Sequence, residues 1–360
     1  MALLSRRTLA AVGLAAAGAA APLAAQNPTP PSVTVGGVVY AQWAAQLDSL
    51  SPSNNFDVTR AYINAIGRFS GGITARITAD IYRDADATAG GALLYRLKYA
   101  YAAWNPQGSP LTFRFGLTQA PQLDWEEQLW DYRMQGPTPL DRAGYVSSSD
   151  FGIAVDGNIN HETVDLQAMA MNGENYNKTP GDSHKDFAAR VSVRLLGTDE
   201  GSRVGGLRLT GYGQLGTPTS GGTRNRFLGM VSYRSKEILL AASYTSAKDT
   251  VTNPAKISTT GRVMSAYGWV KIPATPVAII ARVDVVDPNT CSPATPPVAS
   301  CPAGAGYDRR TILIGGLSYQ LSPNVRLLAD IDRTSFQTPP APATAPLSIT
   351  QALFQTQFTF

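Results

Sequence analysis

Between Ile73 and Tyr82 the chain alternates without a break. Ile73, Ala75, Ile77, Ala79 and Ile81 share one parity, and Thr74, Arg76, Thr78, Asp80 and Tyr82 share the other. The same period of two sets Leu111, Phe113, Phe115 and Leu117 against Thr112, Arg114 and Thr118. It recurs with Phe187, Ala189, Val191, Val193 and Leu195 against Ala188, Arg190, Ser192 and Arg194. Successive side chains of a strand point to opposite faces, so alternation over about ten residues marks strands with one apolar and one polar face. Sixteen segments of this kind are predicted: 34–47, 56–68, 72–83, 92–104, 110–118, 148–157, 161–172, 186–196, 204–215, 224–235, 237–247, 260–272, 276–286, 308–320, 323–335 and 348–360.

The connections carry as much information as the strands. Even-numbered segments are followed by short turns such as Ser70-Gly71, Gly157-Asn158, Ser235-Lys236 and Ser322-Pro323. Odd-numbered ones are followed by longer stretches, culminating in 119–147, 173–185, 248–259, 287–307 and 336–347. Short turns at one end, long loops at the other and an even strand count describe an all-β fold, a closed antiparallel transmembrane β-barrel. In lipid every backbone N–H and C=O needs a partner, and a closed barrel has no unpaired edge. A soluble propeller would need a blade motif repeating every 40–50 residues or so, and none is found.

Closure also accounts for the end of the sequence, QALFQTQFTF. Its Phe354, Phe358 and Phe360 fall on one face and Gln351, Gln355 and Gln357 on the other, as lipid and lumen would require, and the segment is expected to pair with 34–47. A final strand ending in Phe is similar to the assembly signal of Gram-negative outer-membrane barrels. Sixteen strands with a long loop after the fifth resemble a porin. The resemblance implies recognition of Phe358 and Phe360 by the barrel-assembly machinery, residence in outer-membrane lipid, and a homotrimer. It also implies that segment 119–147 folds into the barrel and narrows it. FDVTRAYINAIGRF (Phe56–Phe69) and FRFGLTQAP (Phe113–Pro121) are similar to stretches of the phosphate-selective porin family, over the first third of the chain. That family relies on a dense ladder of arginines and lysines. This chain departs from it with five acids in the loop, so weak anion preference or a general pore is the implied function.

Composition agrees with the barrel. Charged residues make up 16%, against roughly 25% in soluble domains. Arg6 and Arg7 followed by the apolar stretch Leu9–Ala21 form a signal-peptide pattern over 1–25, with cleavage expected near Ala21 or Ala25. Ser5-Arg6-Arg7-Thr8-Leu9 also reads as a twin-arginine motif, although export in the folded state suits a barrel poorly. Residues 26–33 make a short N-terminal segment, and 34–360 a single barrel. Beyond the leader no run of 18 apolar residues provides a transmembrane helix. Loss of the leader would lower the net charge from +4 to +2, which does not suggest a nucleic-acid partner. Cys291 and Cys301 are expected to form one disulfide clamping a loop.

About sixteen strands leave a water-filled lumen, so lumen residues should set the function. With apolar faces turned to lipid, the inward bases are Arg76, Arg96, Lys98, Arg114, Arg190, Arg194, Arg208, Arg282 and Arg326, and the inward acids Asp80, Asp165, Asp284, Asp330 and Asp332. Arg76, Lys98 and Arg114 lie on three consecutive strands and are expected to form a basic wall. The loop acids Asp124, Glu126, Glu127, Asp131 and Asp141 would face that wall across a narrow gap. The transverse field would orient polar solutes and set ion preference without a tight site. The alternative is that these acids pair locally with Arg133 on a solvated loop. Catalysis is not expected: the only imidazoles are His161 and His184, and Asp182-Ser183-His184 is too compact in sequence for triad geometry. No cofactor or metal is implied. The function expected is passive diffusion of small hydrophilic solutes and ions. The competing expectation is a structural or adhesive barrel with a loop-plugged lumen.

Overall fold

The structure, a computed structural model, describes residues 30–48, 53–83, 91–179, 181–219, 221–251, 257–290, 309–338 and 346–360. The leader and both cysteines lie outside these residues. The first eight strands are β1 (Ser32–Gln46), β2 (Asn54–Phe69), β3 (Ile73–Arg83), β4 (Leu93–Trp104), β5 (Leu111–Gln119), β6 (Ser149–Ile159), β7 (Val164–Met171) and β8 (Asp186–Leu196). The remaining eight are β9 (Gly206–Gly216), β10 (Gly222–Arg234), β11 (Ile238–Val251), β12 (Ile257–Lys271), β13 (Val277–Asp287), β14 (Arg310–Ser322), β15 (Val325–Phe336) and β16 (Ser348–Thr359). Each pairs antiparallel with its sequence neighbours. β16 closes on β1, with Tyr40 opposite Gln357 and Trp43 opposite Phe354.

The alternation sorts side chains as the pattern demands. Ile77, Phe115, Phe187, Leu209, Phe227 and Ile279 stand exposed on the outer face, whereas Asp80, Arg114, Arg190, Arg208 and Asp284 are buried inside. One predicted turn is displaced. β6 runs on to Ile159, and the reversal falls at Asn160, His161 and Glu162, which all take left-handed φ (53°, 53° and 66°). Asn and His are among the non-glycine residues most often found in this region.

Two departures from strict alternation matter for the lumen. The first is a bulge. Thr78 pairs with Tyr99 and Ala79 with Leu97, leaving Lys98 as the extra residue on β4. A bulge shifts the phase of everything beyond it, so Lys98 and Tyr99 are both buried inside the barrel, 2% and 5% exposed. The second is an apolar interior. Leu228, Met230, Leu239, Val263, Ile280 and Ile312 all point inward and join one cluster with Trp125, Leu129 and Trp130 of the long loop. The lumen expected to be water-filled is therefore packed with side chains along this arc.

Candidate functional site

The segment after β5 enters the barrel. It forms α1 (Pro121–Leu129) and a short α2 (Pro139–Arg142). Pro121 occupies the first helical position, where its missing N–H costs nothing, and Asp124 in the first turn suits the helix dipole. Leu123, Trp125, Leu129 and Trp130 are fully buried, which a loop projecting into water could not achieve. Trp125 carries three guanidinium groups near its ring: Arg190 at 4.3 Å, with Arg203 and Arg208 at 5.5 Å. Arg190 also donates to the Pro121 carbonyl (3.1 Å) and pairs with Asp165. Asp131 pairs with Arg234 (3.1 Å), Trp130 packs edge-on against Tyr267, and Arg282 donates to the Pro137 carbonyl. Farther along, Gln355 donates to the Met134 carbonyl and Arg142 pairs with Asp332 at 2.7 Å. These contacts tie the segment to β8–β16.

On its other side the loop faces β1–β4 across a cavity of about 340 Å³. The wall offers Tyr40, Tyr62, Asn64, Arg76, Lys98 and Tyr99; the loop offers Asp124, Glu127, Gln128 and Arg133. Arg76 donates to Thr78 (3.0 Å) and Asn64 (2.8 Å) and lies 4.7 Å from the Tyr99 ring centroid. Lys98 donates to the Tyr62 hydroxyl (2.9 Å) and sits over the same ring. Among the described residues no carboxylate lies within 4.0 Å of either cation. Glu127, in contrast, is bound by Arg133 at 2.9 Å, and Arg133 also holds Asp141 at 2.8 Å. Burial works to raise Glu127, but Lys98, Arg133 and Arg60 outweigh it and hold the carboxyl below the ordinary glutamate range. A neighbouring cavity of about 350 Å³ brings Arg60, Arg83, Arg96 and Arg133 together, with Asp80 pairing Arg60 (2.8 Å) and Arg96 (3.4 Å).

This architecture recurs among solved structures. The anion-selective porin from Comamonas acidovorans superposes over 92% of this chain and 100% of its own, with a TM-score of 0.67 at 12% identity. The chain has the porin fold. The trimer form of OmpT from Vibrio cholerae matches with a TM-score of 0.62 at 13% identity, covering 92% of this chain and 99% of that one. The outer membrane channel DcaP of Acinetobacter baumannii gives 0.59 at 11%, covering 92% and 97%. No family model and no curated protein matches the sequence.

Within this porin fold the bases expected to line the pore separate into groups. Arg76 and Lys98 border the gap, and Arg96 borders the adjoining cavity. Arg114 is bound to Asp156 (2.7 Å) and Gln119 (2.6 Å). Arg190 and Arg208 do not line open space: both are fully buried, and Arg190 is capped by Trp125. Arg194 binds the His161 carbonyl beside a turn. The acids do not form a row either. Asp124 borders the gap but pairs with Arg203 (3.1 Å), Asp131 pairs with Arg234, and Glu126 is fully buried. Arg60, Tyr62, Tyr99, Arg203 and Arg234 escaped the sequence reading. Arg60, Tyr62 and Asn64 had a signal, since they alternate with Ala61, Ile63 and Ala65. Tyr99 had none, because the bulge reverses its parity.

Proposed function

We propose that this chain is an outer-membrane porin: a passive diffusion channel for small hydrophilic solutes and ions, weakly preferring anions. The path runs between α1 and the β1–β4 wall. The observation carrying this reading is the charge imbalance across that gap. Arg76 and Lys98 hydrogen-bond only to neutral groups, and the gap is lined by three cations (Arg76, Lys98, Arg133) against two carboxylates (Asp124, Glu127). Net positive potential in a narrow aqueous passage concentrates anions without binding them tightly. The trimer form recorded for OmpT supports a homotrimer, which outward Gly37, Ala41, Ala61 and Ala65 would suit as a flat contact. Phe358 and Phe360 on the outer face of the closing strand fit an assembly signal read by the barrel-assembly machinery, and Cys291 and Cys301 a loop disulfide.

The deciding experiment is planar-bilayer recording of purified protein under a KCl gradient. Stepwise ohmic openings with a reversal potential on the chloride side are expected. A second reading, a structural barrel with a plugged lumen, draws on the apolar cluster that fills the interior between α1 and β9–β15. Folded, heat-modifiable protein that never produces a conductance step would favour it.

A further inference from the structure

Away from the gap, α1 presents polar groups that solute passage does not use. Glu126 is fully buried, and neither carboxyl oxygen finds a hydrogen-bond partner in the protein. Gln122, one helical turn earlier, and Thr138, just ahead of α2, face it. Both amide atoms of Gln122 and the Thr138 hydroxyl are likewise buried and make no hydrogen bond of good geometry, although both lie near enough to Glu126 to offset part of the effect of burial on its carboxyl. The ionisable groups facing Glu126 come from three strands: Arg282 and Asp284 on β13, Tyr267 on β12 and Tyr212 on β9. Arg282 is the one cation among them, and it is committed elsewhere. Its Nε and one terminal nitrogen bind Asp284 at 2.8 and 2.6 Å, and the other terminal nitrogen donates to the Pro137 carbonyl at 2.6 Å. Asp284 itself is near enough to repel a second carboxylate.

Buried polar groups are almost always matched, and an unmatched charge costs far more than an unmatched neutral group. A carboxyl in this setting is cheapest as the neutral acid, which gains an O–H to offer Gln122 or Thr138. Burial accordingly raises Glu126 to about 7.

We propose that Glu126 is a protonation-controlled latch on the lumen loop: as the neutral acid it lets the loop seat against the wall behind it, α1 nearest β7 and β8 and α2 nearest β12, and as the carboxylate it loosens that seat. Because α1 lies between the seat and the gap, a loosened helix moves toward the gap and interrupts the path. The sign follows from linkage. The seated state holds the proton more tightly than the unseated one, so seating weakens as pH rises from the ordinary carboxylate range toward about 7 and weakens no further above it.

Hydrogen–deuterium exchange of residues 121–142 in the full-length reconstituted barrel tests this, with rates corrected for the intrinsic pH dependence of exchange. Between about pH 5 and about pH 9 the α1 amides should lose protection by roughly tenfold or more, the equivalent of one unit of pKa. Glu126→Gln, neutral and of the same shape, should keep the low-pH protection throughout. Wild-type protection that ignores pH, or a Glu126→Gln barrel with the same transition, overturns the latch. Should Glu126→Gln fail to fold, Asp284→Asn serves instead. It removes the repelling carboxylate and should move the transition to lower pH, and an unmoved transition counts against the latch.

The inference rests on the channel reading only for its consequence, brief closures that grow more frequent with pH in bilayer recordings. Exchange that depends on pH in a barrel that never conducts would sustain the latch and defeat the channel. Conduction with pH-independent exchange would do the reverse.

Discussion

Phe360 lies over Gly37. The two residues exchange backbone hydrogen bonds across the seam between β16 and β1, Gly37 N–H to Phe360 O at 3.0 Å and Phe360 N–H to Gly37 O at 3.1 Å. The Phe360 ring occupies the space a Gly37 side chain would need, and a Cβ there would also stand 2.7 Å from the Tyr62 carbonyl oxygen. The Gly37→Ala substitution should therefore strain the closing seam by about 1–3 kcal/mol, the usual cost of overpacking. The temperature at which the folded band converts to the unfolded band on SDS gels should fall. Adding Phe360→Ala should restore only part of the loss, because the Tyr62 carbonyl stays in place.

The unpaired cations of the wall make a prediction of opposite signs. Lys98→Gln and Arg76→Gln should each move the reversal potential toward potassium, and Glu127→Gln should move it toward chloride. Arg190→Gln is the contrasting control. Its guanidinium is sealed beneath Trp125, so reversal should not shift even where thermal stability drops. Equal shifts from Arg190→Gln and Lys98→Gln would show that selectivity follows overall charge and not the gap.

Trp125 concentrates the anchoring of the loop. Truncating a buried Trp to Ala costs about 3–5 kcal/mol, and here it also removes the shared aromatic face of Arg190, Arg203 and Arg208. Trp125→Ala barrels should still assemble, since the strands close without the loop, but their single-channel openings should be broken by flicker absent from wild type. Smooth wild-type openings in this variant would place the anchor elsewhere along 130–142.

Glu127 should give the gap a constant charge over a wide pH range. Its carboxyl is held below the ordinary range by Lys98, Arg133 and Arg60 against the opposing effect of burial. A depressed folded value means that the stabilising pairs are complete above the ordinary glutamate value of about 4.3. They are lost only as pH falls through the lower folded value. Reversal potentials recorded from neutral pH down to about pH 5 should stay flat, and a drift toward chloride within that range would contradict the assignment.

Much of the barrel was legible in the sequence because lipid on one side and polar groups on the other impose a strict period of two. All sixteen strands lie within a few residues of where the alternation puts them. Legibility failed where a different force set the pattern. Ile279 and Ile280 are both apolar, one facing lipid and the other the loop, so on β13 polarity alone does not mark the two sides. Tyr99 sits past a bulge that no periodicity announces. Arg203, in the stretch between β8 and β9, meets Asp124 from 79 residues away, and only the path of the folded loop brings them together. Arg76 and Lys98 were readable as lumen bases, but that they lack acidic partners was not.

The apolar packing between α1 and β9–β15 has a consequence for how such a chain can change. If solute takes the proposed path, one arc of the wall, β1–β4, meets it, and the opposite arc serves as the protein's interior. On that reading, substitutions that retune permeability and substitutions that unpack the loop fall largely on different strands. A lineage could drift in what it admits by altering Arg76, Lys98 or their tyrosine neighbours while the Trp125 and Trp130 side stays fixed. An eccentric path of this kind would make the barrel evolvable in one property without exposing the other.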